Sequence, residues 1–172
     1  MRGRNRSAVV LWVGGEGDEP DRVLGAPDAD RWQLPVFVTV RQARMYAMRN
    51  GWGLATSEVG TLELVRVEHW LEAPAYRRRV PPAAALDAWN FFEDLARGLE
   101  QIHLLPQQGA VHNSAYEKLF EGERAAWTPE EQRAVRGLIA AGVELWNSCS
   151  VITKPHRAST LAWGGSPGNK ES

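Results

Sequence analysis

Cysteine, net charge and long apolar runs are all scarce in this chain, and each shortage removes a class of protein. One cysteine, Cys149, cannot close a disulfide within a single chain, so a disulfide-stapled scaffold is excluded. Basic and acidic side chains number 20 and 21, leaving a formal charge of −1 and no polyelectrolyte field for nucleic acid. Only 3 of the basic residues are lysine and 17 are arginine. Near-neutral charge beside 44% hydrophobic residues is the reverse of the disordered signature. Gly 16 and Pro 10 in 172 residues are too few for a collagenous or low-complexity chain. The first apolar run, Ala8 to Val13, follows Arg2, Arg4 and Arg6 like a signal peptide but is too short for one, and nothing later reaches the length of a membrane span. Cytoplasmic location without a membrane partner is the resulting expectation, and the sequon Asn5-Arg6-Ser7 carries no meaning without export.

What is abundant is tryptophan, eight in all, and a change of pattern near the middle. In the first half, Ala8 to Val13 reads as a buried strand closed by Gly14-Gly15. Glu16 to Arg31, with six acids and two prolines, reads as a solvated loop. Leu34 to Val38 reads as a second strand with Pro35 at its start. Thr39 and Gln42 then form a capping box for a helix that closes at Asn50-Gly51. Val40, Ala43, Tyr46 and Ala47 share its inner face, while Met45 and Met48 point the other way. A helix apolar on both sides is either sandwiched or displays a sticky surface, and sandwiching is the simpler expectation. Trp52 to Thr56 resumes an extended pattern, Leu62 to Leu71 suggests a brief strand leading into a helix ending near Ala73-Pro74, and Ala75 to Pro82 is a linker by composition.

From Pro82 onward helical periodicity dominates. A helix over about 82–103 gathers Ala85, Ala88, Trp89, Phe92, Leu95, Ala96, Leu99 and Ile102 on one face, with Asp87, Asn90, Asp94, Arg97 and Gln101 opposite. Ser114 and Glu117 suggest a capping box for a second helix running to Gly122. Thr128, Pro129 and Glu131 mark a third, whose face from Ala134 to Cys149 should pack on the long helix, with Gly142 permitting close approach. The expected fold is α+β and a single domain over 1–172. A small α/β N-terminal layer at 7–73, of short strands plus one or two helices, packs on a C-terminal helical layer of about three helices at 82–150, and 153–172 is a flexible tail.

Apparent active-site motifs fail on their surroundings. Gly164 to Gly168 fits the nucleophile-elbow pattern, but Pro167 follows the serine and no histidine lies downstream. Gly14-Gly15-Glu16-Gly17 after a strand suggests a phosphate loop, yet Glu16, Asp18 and Glu19 repel an anion, so a turn is expected. His69, His103, His112 and His156 show no helical pairing, and the acids Asp28 and Asp30 lack calcium-loop spacing, so neither a metal nor a cofactor is expected. Asp87, Asn90 and Asp94 form an ordinary solvated face on which Glu93 or Asp94 pairs with Arg97. Arg77-Arg78-Arg79 beside Tyr76 is first a solvated linker, then a partner contact, with nucleic acid a weak third.

Pro35-Val36-Phe37 leading to Ala43, Tyr46-Ala47 and Gly51, then Asp87 to Asp94, then Tyr116 to Phe120, resemble a group of small conserved bacterial proteins of uncharacterised activity. The resemblance spans most of 34–146 and implies architecture alone, with no functional residues to carry over. Without a catalytic constellation, and with Met45, Met48, Leu86, Phe91 and Trp163 to spare, the first functional reading is a non-enzymatic cytoplasmic interaction protein of regulatory or immunity type, its partner another protein or a second copy. The rival is an enzyme or small-ligand binder with a site between the two layers drawn from Trp89, Asn90, His112, Tyr116 and Lys118. Candidate contacts across these readings are Met45, Met48, Arg77, Arg78, Arg79, Asn90, His112 and Lys118.

Overall fold

The computed structural model describes residues 8–28, 31–54, 62–73, 81–120 and 126–152. Its elements in chain order are β1 (Trp12–Val13), β2 (Arg22–Val23), β3 (Ala26–Asp28), β4 (Arg31–Val36), α1 (Val40–Arg49), α2 (Leu64–Glu72), α3 (Pro82–Gly98), a short 3-10 turn (Ile102–Leu104), α4 (Ala110–Phe120), α5 (Pro129–Cys149) and β5 (Ser150–Ile152). This is an α+β fold with a helical C-terminal part, as the periodicity predicts.

The strands depart from the sequence reading in instructive ways. Glu16 to Arg31 is not all loop: β2 returns antiparallel along β1, with Trp12 opposite Val23, and β3 pairs antiparallel with β4. Acids and prolines hid Val23, which is fully buried because its backbone lies against Gly98. A Cβ on Gly98 would collide with the Val23 carbonyl, so this close approach requires glycine. Strand β4 begins at Arg31, leaving Pro35 inside it. Antiparallel partners meet this stretch at Gln33 and, through the Val9 bridge, at Phe37; Pro35 lies in the interval, where no such bond is asked of its missing N–H. On leaving α5 the chain adds β5 in parallel with β4, Leu34 opposite Ser150, an element absent from the sequence reading.

Helix α1 begins and ends as predicted. Gln42 N–H donates to Thr39 Oγ1 at 3.2 Å, and Gln42 Oε1 accepts from the Thr39 N–H at 3.3 Å. Gly51, at φ 72°, closes a Schellman motif in which Trp52 N–H donates to the Ala47 carbonyl at 3.0 Å and Gly51 N–H to Met48 at 3.1 Å. Helix α2 runs straight from Leu64 with no strand before it among the described residues, because Val67 and Trp70 bury at helical spacing.

Helix α3 is the centre of the molecule. It stops at Gly98, not His103: Glu100 takes φ 55°, Gln101 N–H donates to Ala96 at 2.7 Å and Glu100 N–H to Arg97 at 3.1 Å. That is a second Schellman motif, with glutamate where glycine is usual, and it throws Ile102 out to solvent. Helix α4 starts at Ala110, so Ser114 is interior to it and no cap. Around α3, buried Ala85, Ala88, Trp89, Phe92, Leu95 and Leu99 meet Leu34 and Val36 of β4, Val67 and Trp70 of α2, Leu119 of α4, and Val135, Leu138 and Leu145 of α5. Gly142 lets α5 approach as predicted, since a Cβ there would collide with Cγ and Cβ of Phe92.

Candidate functional site

The residues of the rival reading lie between α3 and α4, and Lys118 parts from the rest. Trp89 is buried, with the His112 ring 6.1 Å and the Tyr116 ring 5.3 Å from it, both edge-on. Tyr116 Oη donates to Asn90 Oδ1 at 2.9 Å. The buried Nε2 of His112 has no hydrogen-bond partner. Lys118 faces α5 instead, with Nζ 2.8 Å from Glu131 Oε2. His112 and Lys118 therefore serve different neighbours, and each has a structural one.

Glu131 explains where Lys118 goes. Thr128 and Glu131 form the predicted capping box, with the Thr128 N–H donating to Glu131 Oε2 at 2.7 Å and the Glu131 N–H to Thr128 Oγ1 at 3.2 Å. Its other oxygen accepts from Ser114 Oγ at 2.7 Å, so the serine expected to cap α4 helps instead to cap α5. Lys118, then Ser114 and the Thr128 N–H, hold the carboxyl at a pKa of about 2, outweighing the cost of its burial.

The carboxylates along α3 are likewise committed. Glu93 accepts from Trp89 Nε1 at 2.9 Å, from Arg97 at 2.9 Å and from the Gln108 amide. Asp94 accepts from Arg97 at 2.7 Å and from Trp12 Nε1 at 3.0 Å. Burial raises the Asp94 pKa, against the Trp12 hydrogen bond and the Arg97 charge. Arg97 thus pairs with both carboxylates rather than with one. Trp12, predicted as core, is 48% exposed and acts as a tether, its ring 5.6 Å from Phe91. Phe91 is not spare: it is buried between Trp12, Phe92 and Trp146, and Leu86 packs partly buried against the core. The Cys149 thiol, pushed up to about 11 mainly by burial, is no nucleophile at neutral pH.

At Gly14 to Gly17, where a turn rather than a phosphate loop is expected, backbone N–H groups bond within the segment. Gly15 N–H donates to Asp21 Oδ1 at 2.9 Å, and Glu19 N–H to the Glu16 carbonyl at 3.2 Å, which makes the segment a turn. Among the described residues no group of three or more His, Cys, Asp or Glu side chains could hold a metal ion, and no helix is long and apolar enough to cross a membrane.

Met45 and Met48 are not sandwiched. Met48 is 67% exposed and Met45 42%, with Trp52, Leu54 and Val38 also displayed nearby in sequence. The inner face of α1 buries Ala43 and Ala47, with the Tyr46 ring 5.1 Å from that of Phe37. Arg77, Arg78, Arg79, His156, Trp163, Asp30, the Gly164–Gly168 motif, the expected extended residues Ala55 and Thr56 and the expected tail 153–172 lie outside the described residues.

Helical spacing sets Met45 and Met48 apart from the inner face, though sandwiching was the simpler expectation for them, and nothing in the spacing marks the exposed Trp52 and Leu54. Arg136 carries no sequence signal either. That guanidinium donates to the carbonyls of Trp70 at 3.0 Å, of Leu71, and of Ala73 at 3.3 Å, and lies 5.2 Å from the centre of the Trp70 ring. No local signal marks a residue that caps a helix more than sixty positions away.

No family model, curated protein or solved structure matches the chain.

Proposed function

We propose that this chain is a non-enzymatic cytoplasmic interaction protein of regulatory or immunity type, working through the outer face of α1. One observation carries the reading: α1 displays Met45 and Met48 with Trp52 and Leu54 following, while Glu93, Asp94 and Lys118 are already bonded to structural neighbours. Exposed apolar side chains grouped on one element mark association surfaces, and methionine suits them because its flexible thioether adapts to a partner. Kinship with the small bacterial proteins rests on the residues of 87–94 and 116–120 and belongs to the same proposal. The test is capture and hydrodynamics with the full chain beside a Met45→Glu/Met48→Glu variant. Both should fold alike, and only the variant should lose its partner, whether that partner is foreign or a second copy. A chain that binds nothing, or a variant that keeps its partner, sinks the reading.

His112 favours a second reading. A buried nitrogen without a partner costs about 1–3 kcal/mol, and beside Trp89, Asn90 and Tyr116 it offers a small polar ligand one unmade hydrogen bond. A fragment screen read by NMR should then move signals of Trp89, His112 and Tyr116 together; shifts scattered elsewhere discard this reading.

A further inference from the structure

The α1 face has a charge as well as an apolar stripe. Val40–Arg49 holds Arg41, Arg44 and Arg49 and no acid. Arg41 and Arg49 are exposed and form no ion pair among the described residues. The turn between β1 and β2 is the converse: Glu16, Asp18 and Glu19 are exposed and equally without ion-pair partners, with Arg22 the nearest base in the chain. Trp12, 48% exposed, lies just before that turn. The α1 face is apolar and basic, and the turn is acidic with one exposed tryptophan beside it.

Among the described residues no ion pair joins Arg41 or Arg49 to Glu16, Asp18 or Glu19. Val9 and Phe37 exchange both backbone hydrogen bonds, at 2.8 and 2.9 Å, in an antiparallel bridge. That bridge sends the chain from Val9 to Val13 away from the end of β4 that leads into α1. At about 3.3 Å per extended residue the acidic turn begins on the order of 15 Å beyond the bridge along the strand direction.

We infer that the occupant of the α1 face is a second copy of this chain, with Met45, Met48, Arg41 and Arg49 of one protomer set against Trp12, Glu16, Asp18 and Glu19 of the other. In a two-fold pair both contacts form at once, which closes the assembly. The apolar side chains supply burial, and the charges set orientation and exclude like-charged faces. The inference rests on the interaction reading above and names its partner.

Light scattering and sedimentation equilibrium on the full chain should show a concentration-dependent dimer, weakened roughly tenfold on going from low to high salt. Arg41→Glu/Arg49→Glu and Glu16→Lys/Glu19→Lys should each keep the wild-type circular dichroism and each weaken the dimer about tenfold or more. Mixed one to one, the two reversed proteins should restore it as a heterodimer, because each then meets opposite charge at both contacts. A monomer at every concentration in low salt, a dimer indifferent to both reversals, or a mixture that stays apart overturns the inference. A ladder of larger species overturns the two-fold arrangement. A monomer that nonetheless holds a foreign protein through Met45 and Met48 overturns the second copy and leaves the interaction reading standing; a monomer that binds nothing overturns both.

Discussion

At the scale of single residues, Glu131 concentrates the most interactions. Three neighbours donate to its carboxylate, so its folded pKa of about 2 lies below the ordinary 4.5. A depressed carboxylate contributes stability that is fully present above its unfolded pKa and is lost as pH falls toward the folded one. Urea midpoints should therefore fall steeply between pH 4.5 and about 2. Glu131→Gln should be less stable at neutral pH and much flatter across that window; an equally steep variant would assign the acid sensitivity elsewhere. Gly142 sets two effects against each other. Alanine gains about 1 kcal/mol of helix propensity, but its Cβ would collide with Cγ and Cβ of the fully buried Phe92. Overpacking wins, and Gly142→Ala should destabilise by about 2 kcal/mol, read as a fall of several degrees in Tm.

Secondary-structure elements show how much was legible and why the rest was not. Both Schellman motifs have the same hydrogen bonds, yet only the one at Gly51 announces itself. At Glu100 the left-handed residue has a side chain that gives no stop signal, so the apolar spacing of Leu99 and Ile102 invites the helix onward. Glutamate in that conformation costs on the order of 1 kcal/mol. Glu100→Gly should thus stabilise the protein by about 0.5–1 kcal/mol, measured by chemical unfolding; a loss would show that the Glu100 side chain contributes more than its backbone strain costs. Ser114 and Glu117 misled in the opposite sense, offering a capping box that the fold declines because Ser114 bonds Glu131 across the helix pair. Helix α2 has no side-chain hydrogen bond at its N-cap, and Arg136 holds its C-terminal end. Arg136→Ala should cost about 2–3 kcal/mol and speed hydrogen exchange in α2 ahead of α4. Arg136→Lys should rescue little, since a point charge cannot serve several carbonyls as the planar fork does.

For the whole molecule, burial is unevenly shared. The main cluster joins β2, β4, α2, α3, α4 and α5, whereas α1 rests on Phe37, Ala43 and Ala47, outside that cluster, with Tyr46 between the Phe37 and Trp52 rings at 5.1 and 5.7 Å. An element with so little buried apolar area opens on its own. Native-state hydrogen exchange should find α1 amides exchanging by local opening while α3 and α5 exchange only with global unfolding; equal protection would place α1 in the main cooperative unit. The same economy leaves the outer face of α1 uncovered.

By itself the sequence determined the α+β class, the helical second half, both ends of α1, the start of α5 and the close approach at Gly142. These depend on local spacing, caps and side-chain size, which a short window of residues contains. Tertiary structure alone decided that the acidic segment yields two strands, that β5 joins β4, that Ser114, Lys118 and Glu131 form one network, and that Met45 and Met48 face outward. Each of those turns on which distant backbone or side chain arrives alongside, as Gly98 does for Val23 and Arg136 for Trp70. The scarcity of net charge was legible from the start, but that Arg41 and Arg49 form no ion pair with Glu16, Asp18 or Glu19 among the described residues was a matter of tertiary structure, with the antiparallel bridge between Val9 and Phe37 leading the chain away from the end of β4 that enters α1.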